Sequence, residues 1–343
     1  MTEPIADLSL EKRILPAFNE VKNKAILQVL TTLFNNGVVP YRFLKANTGL
    51  DVSDIACALE FLRRMGCDIV MGDVGVRLVR LGFAFISLML DIMLGQEGID
   101  IAVQTFAEIG STNDECFAAA AKGIDKPLAV IANVQTNGRG RRGNRWEAKP
   151  GQSALLSLLL PARELPVETL SLAAGLAVAE SIAKMTHRTP ELKWPNDVLL
   201  DDRKIAGILI ETRPNAKNPA RTDYVIGVGV NVMQTHKDFP RELATRAISL
   251  GMINRGEWEI TNVILNLLVD LHCRCNPLMH GDDIVPLWRS RCHMLGRSIR
   301  VACAGSVLEG TVADIDPLEG LILRDQHGLN RACLASQTTI LSQ

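Results

Sequence analysis

The sequence predicts an α+β protein built in three parts. Three observations carry that expectation. Residues 24–80 run through helical periodicity into two short strands. From about residue 99 to 290, strand-like and helix-like segments alternate. Beyond Leu295 the chain breaks into short strands punctuated by Gly and Asp turns.

In the first part, "AILQVLTTLFNNG" spaces its apolar residues as a helix and stops at Asn36-Gly37. "YRFLKANTGL" and "DVSDIACALEFLRRMGC" follow as two more helices, with Ser53 the expected N-cap of the second. "DIVMGDVGVRLVR" reads as a hairpin turning at Gly72-Asp73. Helix, helix, helix, hairpin is the outline of a winged helix-turn-helix, placed at residues 1–80. Residues 81–98 read as a linker helix; their run "LGFAFISLMLDIMLG" is too short to span a bilayer and carries Asp91.

The central domain, residues 99–292, is expected to hold a mixed β-sheet. Its strands are "DIAVQTFAEIG", "LAVIANVQ", "SALLSLLLP", "PELKWP", "DVLLDDRKIAGILIETR" and "YVIGVGVNV". Its helices are "TNDECFAAAAKG", "PVETLSLAAGLAVAESIAKM" and "WEITNVILNLLVDLHCRC". Residues 293–343 form the expected small all-β barrel.

Composition sets bounds. Of 343 residues, 47% are apolar and 22% charged, as in an ordinary globular protein. The net charge of −1 provides no global attraction to nucleic acid or an anionic membrane. The N-terminus has early acids and no apolar run of the signal-peptide kind, and eight scattered cysteines suit a reducing cytoplasm. In "HCRCNPLMH", Cys273 and Cys275 end a helix; with His272 and His280 they do not complete a tetrahedral zinc set, and packing is the preferred reading.

The chemistry concentrates in "NGRGRRGNRW", residues 137–146. Gly138, Gly140 and Gly143 stand in the G-x-G-x-x-G spacing of a dinucleotide-binding turn. That reading needs a helix next, and "NRWEAKPGQS" with Pro150 and Gly151 is none. The glycines instead let backbone N–H groups approach an anion, and Arg139, Arg141 and Arg142 add forked donors for phosphate or carboxylate. Like charges so close repel, so the loop is expected to order on an anionic ligand. A solvated basic loop and a nucleic-acid segment remain open from these residues alone. "EIGSTND" places Ser111, Thr112 and Asn113 at a strand-to-helix junction, where they cap the helix or face a polar ligand. In "KWPND", Pro195 holds Trp194 extended, Asn196 and Asp197 favour a turn, and Lys193 is fixed on a short strand, within reach of a carboxylate or phosphate.

Together "STN", "GRGRRG…W", "KWPND", "KIAGILIE" and "GVGVN", in that order, resemble the biotin protein ligases, and the N-terminal domain resembles the bacterial bifunctional type that also represses the biotin operon. The resemblance covers about residues 24–340. It implies a class II synthetase-like catalytic domain and an SH3-like C-terminal barrel. It implies that biotin and MgATP give biotinyl-5′-adenylate, which then biotinylates a lysine of a biotin carboxyl carrier protein of acetyl-CoA carboxylase. By the same resemblance, Ser111, Thr112, Asn113 and Gln135 hold biotin; Arg139, Gly140 and Arg141 fold over biotin and phosphate. Lys193 bridges carboxylate and α-phosphate as the catalytic cation. Arg142, Trp146, Asn196 and Asn231 join Arg141 at the nucleotide, and Asp197 is a candidate for Mg2+. A homodimer on binding biotinyl-AMP is implied. The family loop begins with alanine where this chain has Asn137. The "RR…SGGG" loop of the related lipoate ligases is missing, which makes another acyl-cofactor ligase the weaker alternative. The residues oppose operator binding: "VSDIACALEF" brings Asp54 and Glu60, and Asp73 sits at the hairpin tip, where phosphate contacts want Lys or Arg. The bifunctional alternative would draw on Lys45, Asn47, Arg63, Arg64 and Arg77.

Overall fold

A computed structural model describes residues 20–34, 36–163, 166–254, 258–275, 284–316 and 319–342. The N-terminal residues 1–19 and His280 lie outside the described residues. The chain divides into two compact units, Met1–Gly98 and Ile99–Gln343.

The first unit packs α1 (Glu20–Phe34), α2 (Tyr41–Thr48) and α3 (Val52–Arg64) before a hairpin of β1 (Asp68–Gly72) and β2 (Gly75–Arg80). Its core is the helical-period set expected from the sequence: Val29, Leu30, Leu33, Leu44, Ile55, Leu59 and Leu62, joined by Val76. Ser53 is not the N-cap of α3. Asp51 is, and its carboxylate accepts from the Asp54 N–H at 2.8 Å. Ser53 already lies inside the helix, whereas the backbone at Asp51 is extended just before it begins. A fourth helix, α4 (Ile86–Gln96), closes this unit, and Phe85 just ahead of it meets Phe61 edge-to-face at 6.5 Å.

The second unit is built on a seven-stranded mixed sheet. It comprises β3 (Ala102–Phe106), β4 (Leu128–Ala132), β5 (Ser153–Arg163), β6 (Glu191–Lys193), β7 (Asp197–Leu200), β8 (Arg203–Pro214) and β9 (Thr222–Asn231). Their order is β3-β4-β5-β9-β8-β7-β6, with β3 and β4 parallel and every other pair antiparallel. The parallel pair needs a crossover, and α5 (Thr112–Ala121) supplies it. Cys116, Phe117, Ala119 and Ala120 of α5 bury against Leu128, Val130, Leu159 and Val225 of the sheet. "DVLLDDRKIAGILIETR" is two strands, not one. Asp201 and Asp202 turn the chain with φ of 51° and 59°, a left-handed pair that Asp tolerates better than most residues.

Two long helices, α6 (Val167–Thr186) and α8 (Ile260–Cys275), pack against each other, with a one-turn α7 (Leu250–Ile253) between them in sequence. The small residues of "LAAGLAVA" let neighbours come close: a Cβ on Gly175 would lie 3.3 Å from Trp288 Nε1, which α9 (Ile284–Ser290) buries there. After α9 the chain runs beside β6, with Leu192 N–H on Arg291 O and His293 N–H on Leu192 O at 2.7 and 2.9 Å. This seam leads into a five-stranded antiparallel sheet of β10 (Ser298–Cys303), β11 (Ser306–Asp316), β12 (Gly320–Arg324), β13 (Asn330–Cys333) and β14 (Thr338–Ser342), in the order β13-β12-β11-β10-β14. Arg289 of α9 grips Asp314 of β11 through two bonds of 2.6 and 2.9 Å. No helix of the described residues is long and apolar enough to cross a membrane.

Candidate active site

One cleft lies over the middle of the large sheet, lined by residues from β8, β9, the start of α5 and the glycine-arginine stretch. The topology explains its walls. Because β3 and β4 are parallel, the segments that leave their C-terminal ends run side by side. A short bridge of Ile109 with Gln135 extends the pair, with Thr136 N–H on Ile109 O and Asn137 N–H on Gly110 O at 2.9 and 2.8 Å. Two stretches more than twenty residues apart therefore meet. Gln135 Oε1 accepts from the Thr112 N–H at 2.8 Å and lies 3.1 Å from its hydroxyl. Ser111 is the N-cap of α5, yet its side chain makes no capping hydrogen bond although it is buried. The junction is thus built to face the cleft rather than to close the helix.

Ser157 was not foreseen from the sequence. It sits mid-strand in the apolar run "ALLSLLL", fully buried, with Oγ 2.6 Å from Thr112 Oγ1 and 2.5 Å from Asn113 Oδ1. A lone polar residue in such a run was the available signal, because burial obliges it to find partners.

The floor is glycine. A Cβ on Gly227 would stand 2.4 Å from Asn113 Oδ1, and one on Gly229 2.5 Å from the Trp146 ring. Gly207 of β8 is similarly covered, at 3.0 Å from Trp146 and 3.2 Å from Lys204 Cε. The indole lies on this bed with Nε1 buried and unpaired.

The glycine-arginine stretch is a tight hairpin, in which the Gly140 N–H is spent on the loop itself rather than left for an anion. Arg139 pairs with Arg145, Trp146 N–H donates to Gly138 O at 3.1 Å, and Gly140 N–H donates to Asn144 O at 2.7 Å. Gly138 is needed because a Cβ there would strike Trp146 O at 2.6 Å. Arg142 (φ 57°) and Gly143 (φ 77°) make the turn in the left-handed region. The three arginines between Gly138 and Gly143 part company. Arg139 is tied to Asp114 and Glu211. Arg141 is half-buried and donates to the carbonyl of Ala335, between β13 and β14. Burial, then the charge of Arg142, lowers its affinity for its proton. Arg142 is exposed and does not line the cleft.

Lys204 is the cation that sequence reading passed over. Strict alternation would point it away from Gly207, three residues on. A bulge at Ile205 shifts the register, since Val198 opposes Ala206 while Leu199 opposes Lys204. Lys204 Nζ therefore reaches Asp197 Oδ1 at 2.7 Å and stands 5.6 Å from the centre of the Trp146 ring. Lys193 lies in register with Asp197 on β6 but is not among the cleft-lining residues. Burial lowers its pKa, Asp197 opposes the shift, and Arg246, Lys204 and Arg297 reinforce it. Trp194 lies in a turn, with a cis bond to Pro195.

Asn196 lines the cleft while its amide nitrogen is anchored to β8, whereas Asn231 is committed to structure. Asn196 Nδ2 donates to Ile208 O at 2.9 Å. The buried Asn231 donates to Ile248 O at 3.1 Å and is absent from the cleft lining, because it ends β9 where Gln234 and Ser153 close around it. Asp197 is the one acid among the cleft-lining residues described, and Lys204 already pairs with it. That donor set does not fit a protein-held Mg2+. Glu191, Asp202 and His293 converge elsewhere, at the seam beside β6. Cys273 and Cys275 join no such group among the described residues; burial pushes the Cys275 thiol up to about 12. All eight cysteines are free.

A glycine floor, a polar helix start at one end and a cationic wall at the other define a ligase-like site for a small polar molecule and an anion. Residues 108–231 match the model of the biotin/lipoate A/B protein ligase family. The chain is 36% identical over 248 residues to the biotin–[acetyl-CoA-carboxylase] ligase of Mycobacterium tuberculosis, covering 68% of this chain and 85% of that one. It is 31% identical to the bifunctional ligase/repressor BirA of Bacillus spizizenii, over 65% of this chain and 69% of that one. In fold, the biotin protein ligase from Aquifex aeolicus, solved with biotin and ATP, aligns with a TM-score of 0.58 at 24% identity, covering 70% of this chain and 99% of that chain. The chain belongs to the biotin protein ligases of this family.

Proposed function

We propose that this protein activates biotin with ATP and transfers it to a lysine of a biotin carboxyl carrier protein. The observation that carries this is the convergence of Ser111, Thr112, Asn113, Gln135, the arginine hairpin, Trp146 and Lys204 on one glycine-floored cleft. In the first half-reaction a biotin carboxylate oxygen attacks the α-phosphorus of ATP and pyrophosphate leaves. In the second, the carrier amine attacks the biotinyl carbonyl and AMP leaves. No side-chain nucleophile is required; positioning and charge stabilisation carry the rate.

Ser111, Thr112, Asn113 and Gln135 hold the biotin ring end, and Gly140 and Arg141 cover it. Arg139 contributes to the wall through its backbone and its acid partners. Lys193 and Lys204, both beside Asp197, supply positive charge where negative charge builds at the α-phosphate, and Trp146 offers its face to adenine. Arg142, exposed and off the cleft lining, reaches the nucleotide only if the turn of the hairpin moves on binding. A Mg2+ ion would have to be carried by the triphosphate, where it would offset negative charge, because among the described residues the cleft offers it no carboxylate that Lys204 does not already hold. The first unit reads as a winged helix-turn-helix over residues 1–80 with a linker helix at 81–98. Residues 99–292 form the catalytic domain, and 293–343 an SH3-like barrel. We place the protein in the cytoplasm, dimerising when biotinyl-AMP is bound, with no operator bound by its first unit. Arg64 is paired with Glu60 and Arg63 donates to Ile69 O, so both basic residues at the end of α3 have other partners.

ATP-dependent biotin transfer to an isolated carrier domain, with lipoate as competitor, tests the reading. Labelling that requires ATP and resists excess lipoate is expected. No transfer, or preferential lipoate transfer, overturns it.

A further inference from the structure

Arg139 stands in the loop whose chemistry suggests anion binding, yet its guanidinium is spent on two carboxylates. Its Nη1 and Nη2 meet the Asp114 carboxylate oxygens at 2.6 and 2.8 Å, a two-point fork. Nη2 also reaches Glu211 Oε2 at 3.1 Å. That same Oε2 accepts from Asn113 Nδ2 at 2.6 Å. Arg213 approaches Asp114 at 3.9 Å and lies 4.1 Å over the Phe117 ring. Two arginines and two acids thus balance on the rim. Three segments are joined through them: the first turn of α5, strand β8 and the hairpin.

We propose that Asp114 and Glu211 are positioning residues that strap the arginine hairpin across the cleft through Arg139, leaving Arg141 and Arg145 as its cleft-lining cations for the anionic ligand. The strap is electrostatic and local. Arg139 holds its proton above the ordinary arginine range, chiefly through Asp114, and Asp114 sits below the usual carboxylate range through Arg139. Glu211 couples the strap to Asn113, so the hairpin and a residue of the candidate biotin pocket share one carboxylate. An Arg139 that instead met the ligand would first have to leave both acids.

The test is trypsin nicking within residues 137–146 of the full-length, ligand-free protein, with the melting temperature measured alongside. Asp114→Asn is expected to nick about three- to tenfold faster than wild type with an unchanged melting temperature, the size of effect a partly exposed charge-assisted fork gives. Asp114→Glu is expected to restore resistance, and Glu211→Gln to act like Asp114→Asn. Arg139→Gln combined with Asp114→Asn is expected to nick no faster than either alone, since both cut one interaction. Wild-type nicking in Asp114→Asn, or additive effects in the double variant, overturns the proposal. Only the ligand arm rests on the biotin reading: there, Asp114→Asn is expected to raise the biotin KM more than it lowers kcat. A wild-type protein that transfers no biotin would defeat that reading while leaving the nicking result standing.

Discussion

Replacing Gly229 by alanine puts one methyl group into space that the Trp146 indole occupies. The new carbon would lie 2.5 Å from Cε2, 2.8 Å from Cζ2 and 2.9 Å from Cδ2. Ordinary contact begins at 3.4 Å, so the ring must withdraw by about 0.9 Å, the difference between 3.4 and 2.5 Å. The strand cannot yield, because β9 is laddered to β5 on one side and β8 on the other. The ring can, held by the hairpin bond to Gly138 O and by Lys204. If the indole stacks on adenine, its displacement costs about 1–3 kcal/mol of stacking, roughly five- to 150-fold in the ATP KM. Stability barely changes: alanine restricts the unfolded chain by about 0.4–1 kcal/mol, and a lost cation–π contact offsets about 0.5–1 kcal/mol. Gly227→Ala makes the matched comparison, since its methyl group would meet Asn113 Oδ1 at 2.4 Å and is expected to raise the biotin KM instead. Adenylate formation measured against each substrate separates the two. An ATP KM within about twofold of wild type in Gly229→Ala, or equal effects of both variants on both substrates, would refute the division of the floor.

Five further outcomes are expected. Lys193→Ala nearly abolishes adenylate formation while biotin affinity, followed by calorimetry, changes less, because charge that develops in the transition state is what the ammonium meets. Since burial lowers the Lys193 pKa, the cation is lost as pH rises through a value below the ordinary lysine range, and the alkaline limb of the rate profile begins early and disappears in this variant. Arg141→Gly speeds escape of biotinyl-adenylate, seen as labelling of bystander lysines; an unchanged dissociation rate would count against its covering role. Sedimentation with and without biotinyl-adenylate shows a shift toward dimer with ligand, and identical mass in both removes that part of the reading. Gel shifts with the biotin-gene promoter and biotinyl-adenylate show no specific complex at physiological salt, whereas nanomolar binding restores the bifunctional alternative.

The element order was legible because most segments keep one period throughout: α1 buries Val29, Leu30 and Leu33, and β4 is apolar at every position because both its faces are covered. What was hidden is what tertiary contacts decide. No glycine marks the Asp201-Asp202 turn, so two strands read as one. Lys204 is aimed by a bulge, and a bulge has no residue signature of its own here. The motifs placed Thr112, Gln135 and the hairpin at the cleft. They gave no sign that Asn231 is absorbed by Ile248 and Gln234, or that Arg139 is claimed by two acids, since both depend on chain segments that are distant in sequence.

The contact from Arg141 to Ala335 has its acceptor in the main chain. Any residue at 335 presents the same oxygen, so the last fifty residues can hold the lid without any one of them being distinctive. What must be preserved is the path of the chain between β13 and β14. A shortened turn there, or an ester in place of that peptide bond, would loosen the lid where a scan of side chains through the same segment finds nothing.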